Sequence, residues 1–445
     1  MASIYANAYL TIAATASADF DGGCFRERSP TVKVEVTDIA GQISCLYARE
    51  RLGHAAFDFG ISGALQAARR NAWRAESQID DYPLFGRGWC FQERLLSPRV
   101  LHYTSEEIVW ECLGMTSCEC GTMDRFVGSA VLRERRNAAG VPLDIEVRCG
   151  KLERSQALVK RLGMLERFES LSNFRGKLPA VLSDDYAFMS AIEGKPLEME
   201  TTDVQMRERW RDLVSQYSHR HLTYATDTLP ALSGLAKSWQ ARSPGLGQYL
   251  AGLWEHDLLR GLLWQCVDRG ETARPGDYLA PSWSWASLRG AVDWLPFHYE
   301  PIYHVTIMAV ATQPSGRNAF GEVTSGHVKL RGLVVIATMK TYDLRENTAE
   351  MQAHRDCYLE GTEMGQRFFI DSTEEYAALL GQELHCLWCS TDVNDLRTMI
   401  GFERGLVLRR CDNTSNTFRR VGVMANFRIA ERDAAEVTEM ELIII

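Results

Sequence analysis

The chain has 445 residues, 46% hydrophobic, 24% charged and 10% aromatic, a length that implies two or three domains and a composition able to bury a large core. Its 49 basic and 58 acidic residues leave a formal net charge of −9, which argues against a general affinity for nucleic acid. No apolar run approaches membrane-spanning length, and the N-terminus MASIYANAYLTIAATASADF has no basic start for a secretory signal, so the twelve cysteines are expected as reduced thiols in a cytoplasmic protein with no membrane partner.

Residues 1–20 read as a helix end carrying Ile4, Tyr5 and Ala8, running into a strand with Leu10 and Ile12. Asp21-Gly-Gly-Cys-Phe25 is a turn signal, and residues 42–82 show no strong period. The stretch from Pro83 to Cys112, PLFGRGWCFQERLLSPRVLHYTSEEIVWEC, says the most. Gly86 and Gly88 bracket Arg87 and permit a tight backbone entry. Trp89 to Leu96 then reads as a short helix, stopped by Ser97-Pro98. Val100–Tyr103 and Ile108–Trp110 are strand candidates, with Thr104-Ser-Glu-Glu107 closing a hairpin between them. Residues 121–200 are charge-rich and poor in strand formers, and read as a helical insertion with loops. Its dense run Arg133-Glu-Arg-Arg136 fits a solvated helix face.

From Asp203 the helical period is clear. Trp210, Leu213, Val214 and Tyr217 fall on one stripe. A second helix is expected with Asp227 or Thr228 as its cap, Pro230 in its first turn, and Leu229, Leu232, Leu235 and Trp239 on its buried face. Tyr249–Trp264 reads as a third apolar helix or helix pair. Pro281-Ser-Trp-Ser-Trp-Ala-Ser287 alternates with period two, which places Trp283 and Trp285 on one face and Ser284 on the other. Strands are expected at Ile302–Ala311, His327–Met339, Arg367–Ile370, Leu384–Cys389, Gly405–Arg409 and Phe418–Phe427, mostly antiparallel. The change of character lies near 275–280. The expected layout is 1–125, an insertion at 126–200, a helical region at 201–278 and a β-rich C-terminal domain at 279–445.

Several of these residues form a recognisable set. Met1, Ile4, Tyr5 and Ala8 with Leu10-Thr-Ile-Ala-Ala14, Gly23-Cys-Phe25 with Arg28, Arg87-Gly88-Trp89, Gln92-Glu93, Leu96-Ser-Pro-Arg99-Val-Leu101, Trp110-Glu111-Cys112 and the acid Glu119 resemble the fungal heterokaryon-incompatibility (HET) domain. Leu229–Ala236, Tyr249–Trp254 and the Trp283/Trp285 motif resemble the region that follows that domain in many such proteins. The opening Ser-Tyr-x-Trp-Gly and Trp-Ile-Asp motifs of the family have no counterpart here, and Met1 coincides with an internal methionine of the pattern. The resemblance therefore implies a chain that begins inside the domain, with a Rossmann-like, TIR-like α/β sheet incomplete at its N-terminal end. It further implies nonself recognition in a filamentous fungus, with programmed cell death triggered through contacts with other incompatibility proteins.

The same resemblance raises an enzymatic alternative. TIR-like domains that cleave NAD use one glutamate in a pocket, so Glu93 would be the catalytic residue of an NAD hydrolase, with NAD as substrate. The competing reading gives Glu93 a structural role, paired with Arg87, Arg94 or Arg99 at the helix–hairpin junction, and leaves the protein without enzymatic activity. A third reading is an inactive paralogue. Cys112, Cys118 and Cys120 have no C-x2-C spacing, and Cys386/Cys389 have no second pair, so no metal and no redox cofactor are expected. Ser284 has no identifiable base, and Gly245-x-Gly247 follows no strand, so neither signals catalysis or a dinucleotide.

Overall fold

The computed structural model describes residues 1–37, 41–48, 57, 81–112, 115–120, 125–126, 199–267, 272–294, 301–341, 357–360, 367–393, 401–412, 415–425 and 437–445. The chain divides into two compact units, residues 1–205 and 206–445. The insertion expected at 126–200 lies, apart from its two ends, outside the described residues.

In the first unit, helix α1 (Ala2–Asn7) leads into strand β1 (Thr11–Ala13). An exposed hairpin follows, β2 (Val32–Thr37) with β3 (Ile43–Ala48). Helix α2 (Gly88–Leu96) then precedes β4 (Arg99–Tyr103), β5 (Ile108–Cys112), β6 (Met115–Cys118) and β7 (Arg125–Phe126). The helix forms where glycine entry and apolar spacing predict it. Phe91 and Leu95, one turn apart, are both buried. It ends at Ser97, whose extended backbone (φ −70°, ψ 127°) is what a following proline imposes. The Ser97 hydroxyl donates to the Glu93 carbonyl at 2.7 Å. The β4–β5 hairpin closes as expected: Thr104 N–H donates to the Glu107 carbonyl at 3.1 Å, and Glu107 N–H donates to the Thr104 hydroxyl at 3.1 Å.

These strands make one sheet in the order β1-β4-β5-β6-β7. The β1–β4 pair is parallel, Thr11 opposite Val100; the other three pairings are antiparallel. The described sheet is thus mixed and mostly antiparallel. The parallel order of a Rossmann sheet is limited to one pair. β1 stands at the edge of this order, with Ile12 61% exposed.

The second unit opens within α3 (Met199–Ser218), whose Trp210, Leu213, Val214 and Tyr217 stripe is fully buried. Two 3-10 turns lead into α4 (Ser233–Arg242). Leu229, Leu232, Leu235 and Trp239 are all buried as predicted. The helix itself starts later than expected, because Pro230 sits in a 3-10 turn and not in the first turn of the α-helix.

The third helix over Tyr249–Trp264 is a misreading. The segment is a miniature hairpin of β8 (Tyr249–Leu250) and β9 (Leu253–Trp254), one turn of helix α5 (Leu258–Gly261), and the start of β10 (Trp264–Cys266), which pairs with β11 (Val292–Trp294). A positive φ at Ala251 (46°) and Gly252 (100°) turns the chain back where a helix would continue. The motif at 281–287 also departs from its predicted alternation. It is a turn followed by a 3-10 turn, and Ser284 is as buried as the two tryptophans.

The remaining strands are β12 (Ile302–Tyr303), β13 (Thr306–Pro314), β14 (Val323–Thr341), β15 (Cys357–Glu360) and β16 (Arg367–Ile370). A short helix, α6 (Tyr376–Leu379), precedes β17 (Glu383–Val393), β18 (Gly401–Arg410), β19 (Thr417–Ala425) and β20 (Thr438–Ile444). They form one sheet in which β17, β18, β19 and β20 are neighbours in order. The long β14 closes it, pairing with β20 through Val328–Val334 and with β17 through Val334–Thr338. Among the described residues of this sheet, only the two-residue β19–β20 pairing is parallel. Closure removes the open edge that a five-stranded meander would otherwise present. Both Cys386 and Cys389 are buried on β17, where burial pushes each thiol up to about 12, which fits inert core thiols.

Tryptophan side chains organise the rest of this unit. The Gly252 carbonyl accepts from Trp210 Nε1 at 2.9 Å and from Trp285 Nε1 at 3.1 Å. Trp264 Nε1 donates to the Trp283 carbonyl, and Ser284 Oγ donates to the Ala251 carbonyl. Trp210, Trp264 and Trp285 thus bury their apolar bodies while their N–H groups meet backbone acceptors. Beside them lies Arg420, fully buried. Its Nε and Nη2 donate to the two oxygens of Asp371, each at 3.1 Å, its Nη1 donates to the Leu262 carbonyl, and its guanidinium lies 3.4 Å from the Trp264 ring centre. Arg274 donates to the same carboxylate at 3.0 Å.

Candidate functional site

The functional candidates from the sequence cluster around α2 and the β4–β5 hairpin. Period-two alternation on the hairpin sends Val100 and His102 from β4, and Val109 and Glu111 from β5, into the interior. Two of these four inward positions are polar. They meet a charged residue from the helix: Arg94 Nε donates to Glu111 Oε2 at 2.8 Å. His102 Nε2 lies 3.0 Å from the same oxygen, and His102 Nδ1 lies 2.9 Å from Thr15 Oγ1. A carboxylate only accepts, so Nε2 carries the proton and Nδ1 faces the hydroxyl.

Aromatic rings enclose the group. The Arg94 guanidinium sits 4.1 Å from the centre of Phe85 and 5.1 Å from that of Phe57. The imidazole meets both rings edge-on. The Arg94 guanidinium and the Glu111 carboxylate offset one another's charge, as a low-dielectric interior requires.

A hydroxyl, an imidazole and a carboxylate in line are also the parts of an activated nucleophile. In this chain Thr15 is 0% exposed, and its hydroxyl lies within 3.3 Å of the Ala13 carbonyl as well. The arrangement therefore locks β1, α2 and the hairpin together. It does not present a nucleophile to substrate.

The residues singled out from the sequence occupy other places. Glu93 is half-buried, with the Tyr5 phenol and the Cys90 thiol near its carboxylate. Burial first, then that carboxylate, pushes both the Tyr5 phenol and the Cys90 thiol up to about 12. Arg87 is exposed at the helix N-cap, Gly88 is buried at the first helical position, Gln92 is buried and Trp89 half-buried. Arg99 lies over the Tyr9 ring at 4.9 Å and donates to the Tyr9 carbonyl. Trp110 and Cys112 are half-buried on the outward face of β5. Arg28 and Glu119, both named in the resemblance, form an exposed ion pair at 2.9 Å. The junction between helix and hairpin is thus held by Arg94 and Glu111, with Glu93 turned toward α1. In the second unit, Trp283 and Trp285 belong to the tryptophan core. His102 and Thr15 were missed from the sequence, and Arg94 was named only as a possible partner of Glu93. The signal that could have found them is a polar residue at an inward position of an otherwise apolar alternation.

One comparison with known families gives a match, over the N-terminal part of the chain. Residues 1–93 match the family model of the heterokaryon incompatibility protein (HET). The HET match takes in α1, β1, the β2–β3 hairpin and α2 as far as Glu93, while Arg94, His102 and Glu111 lie beyond it. It covers 93 of 445 residues. No curated protein and no solved structure matches the chain. Among the described residues no helix is long and apolar enough to cross a membrane.

Proposed function

We propose that this HET chain acts in heterokaryon incompatibility of a filamentous fungus, as a cytoplasmic signalling protein that triggers programmed cell death through contacts with other incompatibility proteins. The HET match over residues 1–93 carries this reading. The surface of that segment supports it. Ile12, Phe20 and Phe25 are 61%, 92% and 86% exposed, and Val32, Val34 and Val36 are exposed along β2. Large apolar side chains on a surface favour association with another protein. The Rossmann-like sheet of a whole HET domain belongs to the same proposal.

The hydrolase reading asks Glu93 to reach a ribose hydroxyl, whereas its half-buried carboxylate lies near the Tyr5 phenol and the Cys90 thiol. The two readings separate in one experiment. Wild type and an Ile12→Ser/Phe20→Ser variant are induced in a fungal host and scored by vital dye, while the purified proteins are incubated with NAD. Contact signalling predicts death with wild type, survival with the variant, and no nicotinamide release from either. Nicotinamide release that is lost in Glu93→Ala would replace this reading with the enzymatic one.

A further inference from the structure

We propose that Glu107, Cys118 and Cys120 form a binding site for a zinc-type divalent cation in the first unit. One ligand atom from each of the three side chains lies within 4.8 Å of the others. Cys118 Sγ and Cys120 Sγ stand 3.1 Å apart.

The backbone explains the convergence. Val109 pairs with Cys118 in the β5–β6 ladder, and Glu119 N–H donates to the Ile108 carbonyl. Continued by one position, that register sets Glu107 opposite Cys120. Cys118 ends β6 and Cys120 lies in the turn that follows, which brings the two sulfurs together. Glu107 is buried in the hairpin turn, where Thr104 fixes its backbone. Cys120 N–H donates to Glu107 Oε2 at 3.0 Å, which orients the carboxylate before any ion arrives.

The donor set selects the ion. Two thiolates and one carboxylate suit a borderline, tetrahedral cation over calcium or magnesium, which take oxygen ligands. Sulfurs bound at about 2.3 Å in a tetrahedron stand about 3.8 Å apart, so a small rotation of the exposed Cys120 side chain completes the geometry. That exposure leaves the fourth position to water or an external ligand. Binding releases both thiol protons to solvent, so affinity falls as pH falls. The C-x-C spacing alone did not reveal the site, because the third donor comes from the neighbouring hairpin turn.

The test titrates reduced, full-length protein with Co2+ and follows the thiolate-to-cobalt charge-transfer band and the tetrahedral d–d bands. One equivalent should bind, and Zn2+ should displace it. Cys120→Ser, which replaces an exposed side chain, should lose one thiolate contribution to the band. Glu107→Gln should keep both thiolates and bind on the order of 100-fold more weakly, at or beyond the loss that an outer contact causes. Zn2+ should also shield Cys118 and Cys120 from alkylation, mapped by peptide mass. Circular dichroism checks that each variant folds, and if Glu107→Gln does not, Cys120→Ser and the shielding pattern decide alone. The proposal is overturned by absence of the band, by a band unchanged in Cys120→Ser, or by shielding of other cysteines. It is equally overturned if mild peroxide links Cys118 to Cys120 while the reduced pair takes up no metal.

Discussion

Replacing Glu111 by glutamine should loosen the first unit at its centre. The carboxylate accepts from both Arg94 at 2.8 Å and His102 at 3.0 Å, and all three side chains are buried. Removing one partner of a buried ion pair costs about 3–5 kcal/mol, because the other charge stays behind. Glutamine keeps one oxygen for a hydrogen bond, which places the loss near the lower figure, about 3 kcal/mol. Against the roughly 5–15 kcal/mol of a whole domain, that is a large share. The assay is hydrogen exchange by mass spectrometry on the full chain, read on peptides spanning α2, β4 and β5. At about 1.4 kcal/mol per tenfold, protection there should fall by about two orders of magnitude. Adding Arg94→Met removes the stranded charge and should recover about 1–2 kcal/mol of the loss. Protection within threefold of wild type in the single variant, or additive losses in the double, would refute the reasoning.

Asp371→Asn leaves Arg420 and Arg274 without their shared carboxylate and should destabilise the second unit by about 3–5 kcal/mol, seen as a lower urea midpoint by tryptophan fluorescence. Gly252→Ala should do the same by about 2–4 kcal/mol, since φ is +100° and a Cβ would stand 2.5 Å from Trp285 Nε1. Lys329 and Arg331 hold Glu441 down to about 2. Its contribution is therefore complete above its ordinary pKa of 4.5 and lost as pH falls through about 2, which a carboxyl NMR titration would show as a midpoint near that value.

Local chemistry made much of the fold legible. The glycines around Arg87, the Ser97-Pro98 stop and the Thr104–Glu107 turn placed α2 and the β4–β5 hairpin, because each depends on neighbours in sequence. The Trp210–Tyr217 stripe was legible for the same reason. Tyr249–Trp264 was not: a continuously apolar run has no period to separate helix from hairpin, and the positive φ at Ala251 carries no residue signature. The alternation of Trp283 and Trp285 misled because the carbonyls of Ala251 and Gly252 hold that segment from 33 residues away. The same limit hid the candidate sites. Thr15 and His102 are 87 residues apart, and Glu107 meets Cys120 from 13 residues away, across two turns. Side chains that meet through tertiary pairing leave no spacing rule in the chain.

The central claim is that expression of this chain drives a fungal cell to die without enzymatic turnover of NAD. The most direct measurement is vital-dye uptake after inducible expression of the wild-type chain, with intracellular NAD followed in the same culture. The claim predicts rising dye uptake before any fall in NAD. Growth equal to the empty-vector control, or NAD loss that precedes dye uptake, would contradict it.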